Sequence, residues 1–537
     1  MKNRVLFIGI LTLALCAAFL FLPKTDAGYV DGLPDGCTSI TVGKLASIDG
    51  SVMTSHTCDS RDDRTWIDIQ PSKKYKTGEK EKVYKDTKIT LSAYDLSKRK
   101  ETGEIDTVPV TFAYINTVLP CMNERQLAIG ESTFGGKEIM RSDKGIIDYY
   151  ELNRLMVQRA KTAREAIRVA DEVTKKYGYN DGGECFTIAD GKEVWHLEII
   201  GPGKGRLGAV WAAQRVPDDH ISVNANASRI RKIDLKNPDY FMASENVFST
   251  AIELGLWNPD SGETFEFCYA YADRNSMGSR RREWRVLDLA APGLKLDPYA
   301  ENYPFSVKPE QKVSVKWVME VFRDTFEGTE FDMTKYWIVE DRDKEGKPTG
   351  KLQKSPYANP FMDYDMMPLM KVNGGWDWRG ERCIARYYCT YVTVTQSRNW
   401  LPDAVGGLVW IGYDNPAMAA YAPLYCSITD VPESYKISGR EKYRMDCAWW
   451  AFNRVADLAA QKWGDMRKDV AAVRDPIEAK GFEDQPVIEA KALELYKKNP
   501  KKAAEFLTKY SYEYAQRITK AWWDLGDAIW TKYTGKF

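Results

Sequence analysis

The chain has 537 residues, with 76 Lys+Arg against 76 Asp+Glu, so its formal net charge is zero. A balanced charge gives no electrostatic basis for nucleic acid or an anionic membrane surface as a partner. Three histidines, His56, His196 and His220, are too few for a multi-histidine metal site, and the ten cysteines show no CxxC spacing that would suggest structural zinc.

Lys2 and Arg4 precede an almost wholly apolar run from Val5 to Leu22, closed by Pro23-Lys24. Thr25-Asp26-Ala27 then offers a small-residue cleavage site before Gly28. This is the layout of a secretory signal peptide over residues 1–27, and it predicts an exported protein, periplasmic or secreted. Two other readings use the same residues. The run is about as long as a bilayer span, so it also fits an uncleaved anchor. A lipoprotein modified at Cys16 is disfavoured by Leu15, which stands where a small residue is expected. Beyond residue 27 no apolar run is long enough to cross a membrane, and no stable insertion is expected after signal cleavage. Residues 28–36 are rich in Gly, Pro and Asp and read as a short flexible propeptide, or as an ordinary terminus. An exported chain can oxidise some of its cysteines, but the pairing is not fixed by the sequence.

A cut before Cys37 would place two catalytic groups on one residue. The thiol is a nucleophile, and a free α-amine titrates close enough to neutrality to act as its base. Residues 37–59 read as two strands, with Ile40 and Val42 alternating with polar neighbours and Asp49-Gly50 as the turn signal. Folding about that turn pairs residues whose numbers sum to about 99. Residue 62 then faces Cys37, and Asp59 falls on the same returning strand, three residues short of that position. Asp59 is thereby a candidate to orient the amine. The alternative is that Asp59, Asp62 and Asp63 form a solvated acidic turn.

Residues 148–177 carry Leu152, Leu155, Met156, Ala163, Ile167, Ala170 and Val173 at helical spacing. A second hairpin, 186–189 and 194–200, flanks Asp190-Gly191. It puts Trp195, Leu197 and Ile199 on one face and Val194, His196 and Glu198 on the other. His196 could serve a thiol, or be a hydrogen-bonded strand residue. Another strand-rich stretch runs from Gly208 to Asn226, whose amide could reach an oxyanion or simply form a turn.

The densest basic cluster is Arg280-Arg281-Arg282-Glu283-Trp284-Arg285. One arginine could bind a substrate carboxylate, while at least two of the four are expected to be solvated. Residues 373–379 read as a loop with aromatic anchors, and strands are predicted at 384–396 and 407–412. Helical periodicity begins near 441, with Trp449, Phe452, Val455, Leu458 and Ala459, and returns over 501–533 after Asn499-Pro500.

Cys37-Thr38-Ser39-Ile40-Thr41-Val42-Gly43-Lys44, Ala46-Ser47 and Asp49-Gly50-Ser51 resemble the N-terminus of the C69 family of cysteine dipeptidases, which are N-terminal-nucleophile hydrolases. Gly183-Glu184, Ile188-Ala189-Asp190, Glu193-x-Trp195-x-x-Glu198, Val210-Trp211-x-Ala213, Arg215-Val216-Pro217, Ala225-Asn226 and Arg229-Ile230 also match. The resemblance implies an α+β fold, a four-layer αββα sandwich of two antiparallel sheets between helix layers. It also implies that Cys37 is the nucleophile, Asp59 the residue that orients the amine and Asn226 the oxyanion donor. No metal or organic cofactor is implied. The chain departs from the superfamily's Arg-Asn-x-Asp pattern at Ser55-His56-Thr57-Cys58-Asp59, where His56 replaces a permanent guanidinium. Either His56 supplies that charge only at lower pH, or an arginine such as one from 280–285 takes over.

The expected organisation is therefore a signal peptide (1–27), a propeptide (28–36), a hydrolase domain (37–440) and a helical C-terminal extension (441–537). The expected activity is hydrolysis of dipeptides or short peptides. Two alternatives are an amidase acting on a non-peptide amide such as an acylated amino acid, bile salt or penicillin V, and a non-catalytic surface-binding protein. A homo-oligomer is left open.

Overall fold

The structure, a computed structural model, describes residues 36–60, 63–85, 92, 95, 97–273, 275–361 and 382–535. The signal-peptide region, residues 28–35, Asp62 and the 373–379 loop lie outside the described residues.

The chain mixes α and β structure around two antiparallel sheets. The first has seven strands, in the spatial order 306–307, 221–224, 36–42, 55–59, 389–396, 408–413 and 422–425. The second has eight, in the order 241–243, 210–216, 194–200, 183–189, 128–134, 122–123, 114–116 and 68–70. Strand β1 (Gly36–Val42) and strand β2 (Ser55–Asp59) lie at the centre of the first sheet and pack against the Ala128–Phe134 strand of the second. The sheets approach closely here because Gly130 has no side chain. A Cβ at that position would sit 2.3 Å from the Ser55 carbonyl oxygen.

Between the sheets, β1 presents polar side chains. Ser39 Oγ bonds Thr187 Oγ1 at 2.5 Å, and Thr41 Oγ1 bonds His196 Nε2 at 3.0 Å. Ile40 and Val42 point the other way, into an apolar core that includes Val286 and Leu287 of the Met277–Ala290 helix and Val318 of the Val315–Phe322 helix. Trp195, Leu197 and Ile199 join a separate core with Leu155, Ile167 and Ala170, so the predicted division of faces in the second hairpin holds.

The 148–177 periodicity resolves into two helices, Tyr149–Arg159 and Ala163–Tyr177. Thr162 divides them. Its side chain accepts from Glu165 N–H, while Glu165 accepts from Lys161 N–H, a capping pair that starts a new helix. The C-terminal region forms helices Ala448–Gln461, Trp463–Lys498 and Pro500–Tyr533. The middle helix runs through Pro476 and Pro486. These helices share a core with the Leu408–Tyr413 and Ala422–Tyr425 strands through Trp410, Phe452 and Trp522. Among the described residues no helix is long and apolar enough to cross a membrane.

Candidate active site

Cys37 is the second residue of β1 and is buried. Its partner across β2 is Cys58, with Gly36 opposite Asp59 and Thr38 opposite Thr57. Residue 62 therefore does not face Cys37. The strands are joined by the whole 43–52 segment, closed by the Val42–Met53 bridge, and not by a tight turn. The reason is tertiary. Gly43 N–H donates to His220 O, and the amides of Leu45 and Ala46 donate to Asp218 O, so the chain leaves β2 after Val42. Asp49 is held by Ser47, Ser51 and Gln396. Paired numbers sum to 95 and not 99, and this register places Asp59 opposite Gly36, one residue pair from Cys37.

Asp59 is buried, and its Oδ2 accepts from Arg382 Nη2 at 2.5 Å. Asp63 is also buried, paired with Arg440 at 2.6 Å. The solvated acidic turn is thus corrected for both residues. Each carboxylate needs a cation because an unpaired buried charge is costly.

Asn226 follows the Ile221–Asn224 strand with φ of +61°, a left-handed conformation that asparagine tolerates better than most residues. Several contacts hold it there. Its N–H donates to Ser132 Oγ at 2.8 Å, its carbonyl accepts from Ser279 Oγ at 3.0 Å, and its Nδ2 donates to Thr133 O at 2.7 Å. Its Oδ1 accepts from Cys37 N–H at 3.0 Å and from Arg282 Nη2 at 2.8 Å. Arg282 Nη1 also donates to the Cys37 carbonyl at 2.7 Å.

Arg282 thus clamps the Cys37 backbone and the asparagine at once. None of the four arginines is a free solvated charge, which corrects that expectation. Arg281 and Arg282 are buried, Arg280 donates to Ala300 O at 2.7 Å, and Arg285 pairs with Asp324 at 2.7 Å. Arg282→Lys should lower kcat/KM by roughly 10²-fold, because an ammonium cannot span both acceptors. Activity within twofold of wild type would rule out the clamp.

His56 is buried with Glu131, a residue that the sequence reading did not single out. His56 Nε2 lies 3.0 Å from Glu131 Oε1, an ion pair whose angle is poor for a hydrogen bond. Its Nδ1 lies 3.1 Å from Tyr391 Oη. The Cys37 thiol donates to Glu131 Oε1 at 3.3 Å. Burial opposes charge on His56, but Glu131 and the Cys37 sulfur outweigh it and raise its pKa to about 10. Burial likewise opposes ionisation of Glu131, yet His56 holds it below the usual carboxylate range. Glu184 is pushed well up by burial and then by Glu131. The thiol of Cys37 is raised by the Cys58 thiol, by burial and by Glu131, against the lowering effect of His56.

The pH dependence follows from these directions. Stability from charged His56 is complete below its unfolded value of 6.5 and is lost as pH rises through about 10. Stability from depressed Glu131 is present above 4.5 and is lost only at lower pH. Melting temperature should therefore fall between pH 6.5 and 10, and Glu131→Gln should flatten that decline. An identical slope in the variant would show that the pair does not titrate this way.

Cys37 Sγ, His56 Nε2 and Glu131 Oε1 lie within 4.8 Å of one another, a donor set chemically suited to a thiophilic divalent cation. His196 is placed elsewhere. It is buried, bonded to Thr41, and lowered to about 3 by burial and by Arg229, which makes it a neutral strand residue. Glu198, one of the family-matching residues, accepts from Ser228 Oγ and from the amides of Arg229 and Ile230, and so fixes the loop that carries Asn226. A cleft of about 210 Å³ opens on that side, lined in part by Ser228, Asp273, Asn275 and Arg280.

The model of peptidase family C69 matches residues 36–475, most of the chain and all of these site residues. The chain belongs to peptidase family C69. As a C69 member it is a peptide-bond hydrolase. A "Probable dipeptidase" of Latilactobacillus sakei is 25% identical over 508 residues, covering 91% of this chain and 93% of the relative. "Probable dipeptidase B" of Lactococcus lactis is 25% identical over 450 residues, covering 81% and 82%. A "Probable dipeptidase" of Salmonella dublin is 26% identical over 306 residues, covering 55% and 59%. Two residues that complete the site, Glu131 and Arg382, were not legible in advance. The one available signal for Glu131 was an acidic residue inside the otherwise small and apolar run Ala128-Ile129-Gly130.

Proposed function

We propose that this C69 member is an exported dipeptidase whose nucleophile is the thiol of Cys37, acting after the chain is cut before that residue. The observation that carries this is convergence on one residue. Asn226, Arg282 and Glu131 all contact Cys37, and Asp59 sits one pair away. The names of the relatives support dipeptides as substrates. The paired sheets, with helices on their outer sides, support the αββα sandwich.

In the uncut chain the Cys37 nitrogen is an amide and cannot act as a base. Gly36 is not part of a loose tail. It is buried in β1, and a Cβ on it would lie 2.4 Å from Asn226 Oδ1. The thiol is adjacent to the Gly36 carbonyl in sequence, so its attack there would give a thioester that water opens. Loss of Gly36 uncovers Asp59, whose Oδ1 has no hydrogen-bond partner among the described residues. That oxygen can then hold the new amine, with Asn226 Oδ1 as its second acceptor. The amine takes the thiol proton and the thiolate attacks the scissile carbonyl. The second N–H of Asn226 Nδ2 is free to stabilise the oxyanion. The amine returns the proton to the leaving amine, and water hydrolyses the acyl-enzyme. Asp273 and Arg280 offer one charge of each sign for the ends of a short peptide.

Maturation and substrate class are tested together. The active protein should have an intact mass beginning at Cys37, and it should cleave free dipeptides far better than doubly capped ones. Gly36→Ala should slow processing by pushing on Asn226, yet yield a mature enzyme of wild-type activity, because residue 36 has departed. Full activity in a chain that retains Gly36 would remove the amine from the mechanism. Equal turnover of capped dipeptides would favour an amidase.

A further inference from the structure

We propose that Cys37 and Cys58 form a reversible intramolecular disulfide, making the nucleophile's position an oxidative modification site. The part of this that concerns activity rests on Cys37 as nucleophile; the bond itself rests on strand register.

Cys37 and Cys58 are directly opposed on neighbouring antiparallel strands. The N–H of Cys37 points at Asn226 and its carbonyl at Arg282, both on the side away from β2. The next residue does the reverse, because Thr38 N–H donates to Thr57 Oγ1 on β2. Cys37 and Cys58 are therefore a non-hydrogen-bonded pair. In such pairs the Cα atoms lie about 4.5 Å apart and the side chains approach most closely. That spacing falls within the range a disulfide accepts, roughly 4.4–6.8 Å. Opposed residues share one face of the sheet, and both thiols are close enough to perturb each other and to sense Glu131. Cys58 is half-buried, so a small oxidant can reach the pair. Cys389, on the next strand, donates its thiol to the carbonyl of Tyr391 in its own strand at 3.0 Å and is not opposed to either cysteine in register.

The chemistry balances with hydrogen peroxide as oxidant. Cys37 thiolate attacks one peroxide oxygen, breaks the O–O bond and becomes a sulfenic acid, while hydroxide leaves and takes a proton. The Cys58 sulfur then attacks the Cys37 sulfur. The S–O bond breaks, the S–S bond forms, and the departing hydroxide takes the Cys58 proton. Two thiols lose two electrons and the peroxide becomes two molecules of water. A dithiol reductant reverses the change by exchange. The resolving thiol also shields Cys37 from irreversible overoxidation.

The test treats the mature protein with hydrogen peroxide and reads activity, free thiols and a non-reducing peptide map. Activity should fall at least about tenfold with loss of two thiols and appearance of a Cys37–Cys58 cross-link, and dithiothreitol should restore most of it. Cys58→Ser and Cys58→Ala, each compared with its own untreated activity, should lose it on peroxide treatment and recover little of it with dithiothreitol. Cys389→Ser should behave as wild type. Inactivation without the cross-link, or full recovery in both Cys58 variants, would overturn the proposal while leaving Cys37 as nucleophile. A cross-link that leaves activity intact would uphold the modification site and instead sink the nucleophile reading.

Discussion

Cys37→Ala should abolish peptide hydrolysis, by at least about 10³-fold in kcat/KM, while the fold persists. The backbone of Cys37 is fixed by Asn226, Arg282 and Ser132, none of which needs the sulfur. The thiol donates to Glu131 at 3.3 Å, a buried contact whose loss should cost about 1 kcal/mol of stability. The same variant should keep the residues before 37 if maturation is autocatalytic. Steady-state kinetics, thermal melting and intact mass on one preparation separate these effects. Wild-type turnover by a folded Cys37→Ala protein would remove Cys37 from the reaction.

The second large effect is expected at Asp59. Asp59→Asn keeps the side chain's shape but removes the anion that faces Arg382 at 2.5 Å and would face the new amine. A buried guanidinium that loses its counter-charge destabilises the fold by about 3 kcal/mol. Activity should fall by more than that loss explains, because the amine also loses its electrostatic partner. A double variant, Asp59→Asn with Arg382→Gln, resolves the two contributions. It should regain much of the stability and none of the activity. If the double variant recovered both, Asp59 would be a structural counter-ion only.

Several structural features could be read from residue order alone because they depend on short-range patterns. The second hairpin is one case: Asp190 receives the amides of Lys192 and Glu193, and strand alternation sorts Trp195 from His196. The last helix is another, since Asn499 caps it and Pro500 opens it. The same logic failed where tertiary contacts competed. Asp49-Gly50 only bends the chain, and register is set by Asp218 and His220, which draw residues 43–46 away from β2. The Trp463–Lys498 helix keeps two internal prolines because packing against its neighbours outweighs the local penalty.

The site divides along the same line. The resemblance to the C69 family marks His56 where the superfamily pattern has a guanidinium. The sequence determined by itself that Cys37 lies in a strand near its start and that Asp59 lies on the strand that returns. These are consequences of spacing within one local stretch of chain. What the histidine does was decided by the tertiary structure. Glu131 arrives from the opposite sheet, Arg282 from a helix and Arg382 from the segment before the Cys389–Gln396 strand, separated from Cys37 or Asp59 by 94, 245 and 323 residues respectively. A buried charge takes its state from whatever lies within a few ångströms of it in a medium that screens poorly. For His56 those neighbours belong to other strands, so its charge is a property of the assembled sheets and not of the local sequence around it.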